Sequence, residues 1–271
     1  MTLRPPAHER VAQGPSAIAI TADGSALILD RLAGQVLRVG RDGQVGMTAP
    51  VPVDSTDLTV GKQDRFATYS PVRARAWFFD RSGRPTGDMP VTRQLRELRH
   101  VQFGLDDSLW GHTVYQERFA LGSPGSQPQL PALLASKREG AFALRRRTSV
   151  DTLVEQGRAI LRLLAPPEAG KRATVEARMT LPHAVSASRI IGIWSSIVCL
   201  RTEHVSGRPA ISVRRRLTCV DVDQATLKLD EDLGLPGLYL PHRELTMQYG
   251  TVAQLLPRAE ALIIKSWRMS P

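Results

Sequence analysis

The sequence predicts an all-β protein, most simply a six-bladed β-propeller, from three observations. Residues 17–30 alternate apolar and polar side chains on both sides of a turn at Asp23-Gly24, which predicts a two-stranded hairpin. The pattern recurs 40 residues later at Asp57–Ser70 and again at Val101–His112, at an offset of 43. Dividing the chain by a period of about 42 residues gives roughly six units, within the range of propeller blades, with seven as the alternative.

The remaining repeats are fainter, and we predict that all of them belong to one domain spanning 1–271. Strand patterns occur at 190–200 and 210–222, on either side of a predicted turn at 206–209, and a last repeat is predicted at 245–264. The apolar residues at 150–165 have helical spacing, which predicts a short helical insertion there. Whether 127–180 forms a blade or an insertion is left open.

The charge of the chain, +10, favours an anionic partner in principle. However, Lys is rare beside Arg and Asn is absent, which is typical of a GC-rich genome, so a nucleic-acid or anionic-polymer partner is a secondary alternative. There is no apolar run of 18 residues, and hence no expected transmembrane segment. The first residues lack the apolar core of a signal peptide, so we expect a cytoplasmic protein, or a periplasmic or secreted one if a signal was removed.

Two segments, 14–24 and 34–44, carry a resemblance to known propellers, because each ends a predicted strand in Asp-Gly and the first begins with Gly-Pro. The chain resembles bacterial propellers with NHL-like or gluconolactonase-like blades over residues 14–120. The gluconolactonase-like resemblance implies a metal site of carboxylate and Asn side chains, but the chain has no Asn. We therefore expect no bound metal, no cofactor and no lactonase activity.

Two histidines could meet if the repeats form a propeller. His100 and His242 each precede a predicted innermost strand, and innermost strands line the central channel. The simpler interpretation is that both are ordinary loop residues. No pair among the six histidines has the spacing of a common metal site.

The two cysteines lie at equal distances from residue 209, inside the predicted turn. Cys199 and Cys219 should therefore face each other across two strands. A reduced, buried pair is preferred over a disulfide, because directly opposite β-carbons are slightly too far apart for an ideal bridge.

Two arginine triplets are the sharpest basic clusters of the sequence. Alternation on a strand puts Arg145 and Arg147 on one face of their strand, and Arg214 and Arg216 on one face of theirs. Together they could form a strip that binds phosphate or carboxylate groups. A solvated outer edge is the preferred interpretation.

No catalytic motif of the nucleophile-elbow, phosphate-loop or dinucleotide type is present. The leading hypothesis is therefore a non-catalytic protein-interaction or scaffold module, which would bind a protein partner through Arg31 and Arg73 on a common rim with His100. The simpler interpretation, slightly preferred, is that both arginines are only solvated. A propeller-type hydrolase or lyase with an active site in the channel is the main alternative.

Overall fold

The protein is built almost entirely of β-strands that form six antiparallel sheets, with 62% strand and 3% helix. This confirms the predicted all-β fold. The computed structural model describes residues 14–91, 98–104, 106–113, 115–127, 130–139, 142–144, 148–165, 173–207, 210–234, 239–259 and 261–270. Across these described ranges, no helix is long and apolar enough to span a membrane.

The residues group into two compact units. Unit 1 comprises Met1–Lys137 and Pro236–Arg268, and unit 2 comprises Arg138–Leu235 and Met269–Pro271. The prediction of a single domain stays a prediction.

Unit 1 contains sheets one, two, three and six, in which strands adjacent in sequence are also neighbours in the sheet. Sheet one consists of β1 (Pro15–Ile20), β2 (Ala26–Asp30), β3 (Gln35–Val39) and β4 (Val45–Pro50). Sheet two consists of β5 (Asp57–Val60), β6 (Phe66–Ser70), β7 (Arg75–Phe79) and β8 (Pro85–Pro90), with a 3-10 turn at Lys62–Asp64. Sheet three contains β9 (Leu98–Phe103), β10 (Leu109–Thr113) and β11 (Glu117–Gly122), followed by α1 (Leu130–Ala135).

Unit 2 begins with the two-residue strand β12 (Arg138–Glu139) and contains sheets four and five. Sheet four consists of β13 (Phe142–Ala143), β14 (Ser149–Glu155), β15 (Arg158–Leu164) and β16 (Val175–Ala184). Sheet five consists of β17 (Ala187–Trp194), β18 (Ile197–Ser206), β19 (Ser212–Asp221) and β20 (Thr226–Asp232). Sheet six, in unit 1, consists of β21 (Leu245–Gln248), β22 (Thr251–Pro257) and β23 (Leu262–Arg268).

The four innermost strands of unit 1 begin at the same end, which we call the near end. Sequential contacts join β1 to β5, β5 to β9 and β1 to β21. At the near end, the segment before β21 forms a parallel bridge between Ala17 and Arg243. At the opposite, far end, the Gln248 side chain accepts a hydrogen bond from Ile20 N at 2.8 Å and donates one to Val60 O at 3.0 Å. Side chains from sheet six thus tie the inner edges of neighbouring sheets together at both ends.

The predicted helix at 150–165 is wrong, because this stretch forms the hairpin of β14 and β15. Val150 pairs with Leu163 and Val154 with Ala159, in continuous antiparallel register. The turn between the strands is Gln156-Gly157, and both residues have positive φ, 49° and 73°. Two consecutive positive φ angles are the signature of a tight hairpin turn, and β-branched residues favour strands. Helical spacing in the sequence was coincidental here, and this part of 127–180 forms a regular sheet rather than an insertion.

The two cysteines face each other as predicted, but the prediction that they are reduced is wrong. Cys199 pairs with Cys219 in the register of β18 and β19, and their sulfurs form a disulfide. Their Cα atoms are 4.0 Å apart, well inside the roughly 7 Å beyond which no bridge can form. Directly opposite positions on neighbouring strands are therefore close enough for a disulfide, even though the usual spacing of opposite β-carbons is slightly longer than in an ideal bridge.

We predict that denatured protein titrated without reductant shows no free thiol, and that reduction releases two. Replacing both cysteines, Cys199→Ser with Cys219→Ser, should lower the free energy of unfolding by about 3 kcal/mol, because the bridge closes a loop of about twenty residues in the unfolded chain. Urea unfolding of the two forms measures this difference. Two thiols in the unreduced protein would contradict the assignment.

Candidate functional site

A cluster of ionisable side chains lies at the near end of unit 1. Asp57 begins β5, His100 lies on β9, and His242 and Arg243 lie just before β21. One ligand-type atom each from Asp57, His100 and His242 lies within 4.8 Å of the others. These four residues are called the near-end site below.

Asp57 is the buried anion of the site, with no exposed surface. Its Oδ2 accepts a hydrogen bond from Val101 N at 2.7 Å and lies 2.9 Å from an Arg243 nitrogen. Burial alone would raise the pKa of Asp57, but Arg243, and after it His100 and His242, hold the pKa well below its usual range. Asp57 is therefore a carboxylate at neutral pH.

Arg243 provides the positive charge that keeps Asp57 ionised. Its guanidinium also donates to Leu58 O at 2.5 Å and to Val101 O at 2.9 Å. Its backbone N donates to Ser16 O at 2.9 Å, and its carbonyl accepts from Ile18 N at 3.2 Å. One residue thus contacts β1, β5 and β9, and its charge is fully engaged inside the protein.

The two histidines stand side by side but in different surroundings. Their ring centroids are 4.9 Å apart. His100 is buried, and its Nδ1 lies 3.3 Å from Asp57 Oδ1. His242 is exposed, and its Nε2 donates to Arg99 O at 2.7 Å. Because an ionised carboxylate and a carbonyl only accept, the proton lies on Nδ1 of neutral His100 and on Nε2 of neutral His242.

Tyr69 borders the site and lies opposite Asp57 in the register of β5 and β6. Burial, followed by the negative charge of Asp57, raises the pKa of Tyr69 to about 12. Its phenol therefore stays protonated at neutral pH, and a basic group at this site has to be an imidazole.

The donor set of the site suits a small transition-metal ion in part. Imidazole nitrogen and carboxylate oxygen are common ligands of such ions. However, Arg243 already neutralises Asp57, and a second cation beside the guanidinium would be repelled. The arrangement therefore fits an acid–base pair better than a metal centre, and the expectation of no bound metal stays a prediction.

The two loop arginines lie at the near ends of sheets one and two. Arg31 follows β2, and Arg73 follows β6. Arg73 Nε lies 3.0 and 2.9 Å from the two carboxylate oxygens of Asp54. His100, placed by the sequence on the same rim, is instead buried in the near-end site. A partner face built by Arg31 and Arg73 stays a prediction.

Arg214 and Arg216 share one face of β19, as alternation requires. Arg216 Nε donates to Asp230 Oδ1 at 2.9 Å, and Arg214 lies 3.4 Å from Asp232. Their charges are thus paired with carboxylates of β20 in unit 2. Arg145 and Arg147, the other predicted half of an anion-binding strip, lie outside the described residues.

A meeting of His100 and His242 was the less favoured interpretation of the sequence, and Asp57 and Arg243 were not candidates. A signal for Asp57 exists in the repeat, because Ala17, Asp57 and His100 each directly precede the aligned residues Ile18, Leu58 and Val101. A polar residue at this otherwise apolar position in two successive repeats predicts that both side chains meet at the inner edges of adjacent sheets. No comparable signal identifies Arg243.

Comparison with solved structures identifies the chain as a β-propeller. A streptogramin B lyase superposes with a TM-score of 0.50 over 97% of this chain and 96% of that one, at 12% identity. The PQQ-bound aldose sugar dehydrogenase of Streptomyces coelicolor covers 98% of this chain and 100% of its own at a TM-score of 0.47 and 12% identity. No family model matches the chain, and no curated protein matches it. At this identity the likeness shows the fold alone.

We predict that Arg243→Ala lowers the free energy of unfolding by about 3–5 kcal/mol, because it leaves the Asp57 carboxylate buried without its counter-charge. Arg73→Ala is the matched control, since its ion pair with Asp54 is exposed and contributes no more than about 1 kcal/mol. In the double variant Asp57→Asn with Arg243→Met, no buried charge is unpaired, so the loss should be smaller than in Arg243→Ala. Equal losses in all three variants, measured by urea unfolding, would contradict a buried ion pair.

The proton positions of the histidines can be checked by ¹⁵N-detected NMR at a pH at which both rings are neutral. We expect the Nδ1–H tautomer for His100 and the Nε2–H tautomer for His242. In Asp57→Asn the side-chain amide can donate as well as accept, so the preference of His100 should weaken while that of His242 is kept. An Nε2–H tautomer of His100 in the unmodified protein would disprove the hydrogen bond to Asp57.

Proposed function

We propose that the chain is an enzyme of the hydrolase or lyase type in which His242 is the acid–base group and His100, oriented by Asp57, supports it. The observation that carries this proposal is the pair of imidazole rings 4.9 Å apart, one exposed and the other hydrogen-bonded to a buried carboxylate. Carboxylate-oriented histidine beside a second titratable group is a typical arrangement of acid–base sites. The alternative from the sequence therefore replaces the non-catalytic module as the preferred function.

His242 is the group that a substrate can reach. With its proton on Nε2, the lone pair of Nδ1 is available to accept a proton from a water molecule or from an acidic C–H group of a substrate. The resulting imidazolium can return the proton to the leaving group. A positioned acid–base group of this kind contributes about 10²- to 10⁴-fold to a rate.

His100 and Asp57 act behind His242. Asp57 fixes the tautomer and ring orientation of His100 and favours a positive charge on that ring. Asp57 is therefore a positioning residue, since its carboxylate is buried and saturated by Arg243, Val101 N and His100. Arg243 holds Asp57 ionised and is not free to bind a substrate.

A second function, the protein-interaction module, is supported by one observation. Among the described residues, five large apolar side chains at the near end of unit 1 are between 49% and 70% exposed. They are Leu32, Val53, Val72, Tyr115 and Leu240. Exposed apolar side chains on loops of several sheets are typical of binding surfaces, and Arg31 and Arg73 lie among them.

The disulfide indicates in which compartment the protein works. Structural disulfides persist mainly in oxidising environments, so we propose that the protein works outside the reducing cytoplasm. The sequence favoured a cytoplasmic protein. The disulfide instead favours the alternative, a periplasmic or secreted protein.

We predict that the protein hydrolyses members of a panel of 4-nitrophenyl esters, and that His242→Gln lowers kcat/KM at least about 100-fold. Asp57→Asn should alter the pH profile of kcat as well as its size, because it changes the charge beside His100 without removing a reacting group. His183→Gln, at a partly exposed histidine of unit 2, is the matched control and should leave the rate unchanged.

Metal removal separates acid–base catalysis from metal catalysis at the same residues. Activity should survive dialysis against EDTA. If EDTA abolished it and a divalent ion restored it, Asp57, His100 and His242 would be metal ligands and the acid–base proposal would fail. Full activity in His242→Gln would also reject it.

A further inference from the structure

A cavity of about 530 Å³ lies between sheets one and six, inside unit 1. This volume is in the range of small-molecule binding sites. The turns that border it, at Gly24 and at Gly40–Gly43, lie at the far end of sheet one. Thr251 and Arg268 lie at the far end of sheet six. The cavity is therefore at the opposite end from the near-end site.

Six apolar side chains form part of the cavity lining, beside the hydroxyl side chains of Thr251 and Ser266. Ile20, Ala26, Ile28 and Val39 come from sheet one, and Leu262 and Ile264 come from β23. Both β23 residues are only partly buried although they pack on the same hydrophobic cluster as Ile28. Apolar surface is thus left open between two sheets, and an apolar ligand that covered it would be favoured by the removal of this surface from water.

Two arginines line the same cavity. Arg41 belongs to the turn between β3 and β4, and its guanidinium lies directly over Gly24, where a β-carbon would be 2.2 Å from a guanidinium nitrogen. Arg268 ends β23. Within the described part of the chain, neither arginine has a carboxylate within 4.0 Å, whereas most arginines discussed above are paired.

The nearest acidic side chains are engaged elsewhere. Asp23 pairs with Arg38 at 2.8 Å, and Asp42 accepts a hydrogen bond from Gln44 N at 3.0 Å within its own turn. The cavity therefore combines several apolar side chains with two positive charges that no described carboxylate neutralises.

We propose that this cavity binds an amphipathic anion with an unbranched apolar tail and a single carboxylate head, such as a medium-chain fatty acid. The tail lies on Leu262 and Ile264, and the head pairs with Arg41 and Arg268. Arg binds carboxylates through two parallel hydrogen bonds, which favours an acid over a neutral alcohol of the same length. This inference is independent of the proposed catalytic activity.

The test is isothermal titration of the full-length protein with sodium decanoate below its micellar concentration. We expect one site, with binding weakened by added salt because the head group is held by charge. Decanol tests the need for the charge and inorganic phosphate tests the need for the tail. Both should bind at least about tenfold more weakly, because decanol lacks the charge that the arginines bind and phosphate lacks the tail that the apolar side chains bury.

Variants on a single strand give matched controls. Arg268→Ala and Ile264→Ser should each weaken decanoate binding about tenfold or more. Lys265→Ala and Ile263→Ser alter neighbouring positions of β23 that point to the other face and do not line the cavity, so they should bind as the parent does. Arg41→Ala should weaken binding as Arg268→Ala does.

Folding of every variant is checked by its far-UV circular dichroism spectrum and thermal unfolding midpoint. If a variant fails to fold, Arg41→Gln and Arg268→Gln, which keep the side-chain stems, replace it. The proposal is overturned if decanoate shows no saturable binding, if decanol or phosphate binds as tightly, or if the folded double variant of Arg41 and Arg268 binds undiminished.

Discussion

The ion pair between Arg243 and Asp57 is the interaction on which the inner edge of unit 1 depends. Two opposite charges taken out of water cost free energy unless every remaining donor and acceptor is satisfied. Here the guanidinium also meets the carbonyls of Leu58 and Val101, and the carboxylate meets Val101 N and His100. The pair therefore fixes β5, β9 and the segment before β21 relative to one another, and it does so at the place where the two histidines stand.

The same constraint explains why the histidines differ. Asp57 cannot leave its guanidinium, so it presents its second oxygen to His100 and makes that ring a buried part of the scaffold. His242 precedes Arg243 in the chain, and anchoring of Arg243 in the interior leaves its neighbour at the surface. An exposed imidazole next to an oriented, buried one follows from the position of one arginine. The residues of this arrangement lie far apart in the sequence, so no short sequence motif identifies it.

Much of the fold could be predicted because its first three repeats keep apolar alternation and Asp-Gly turns in register. The hairpin at 150–165 could not, since its apolar residues satisfy helical spacing as well as alternation, and only the positive-φ turn at Gln156-Gly157 decides between them. Two of the four near-end residues could also be recognised from the sequence, because Asp57 and His100 occupy the same repeat position. Arg243 could not be recognised in this way, because it lies in a repeat too faint to align, 142 residues from one of its acceptors, Val101.

The two ends of unit 1 show where this fold leaves room for chemistry. At the near end, Arg243 in the segment before β21 links the inner strands through hydrogen bonds and its ion pair with Asp57, and of the two histidine rings only that of His242 is exposed. At the far end Gln248 performs the same bridging through Ile20 and Val60. The open space lies farther out, between β23 and sheet one, where Arg41 and Arg268 have no described carboxylate. Inner positions of the repeat are thus constrained by packing between sheets, whereas the outer strands can carry a ligand without disturbing it.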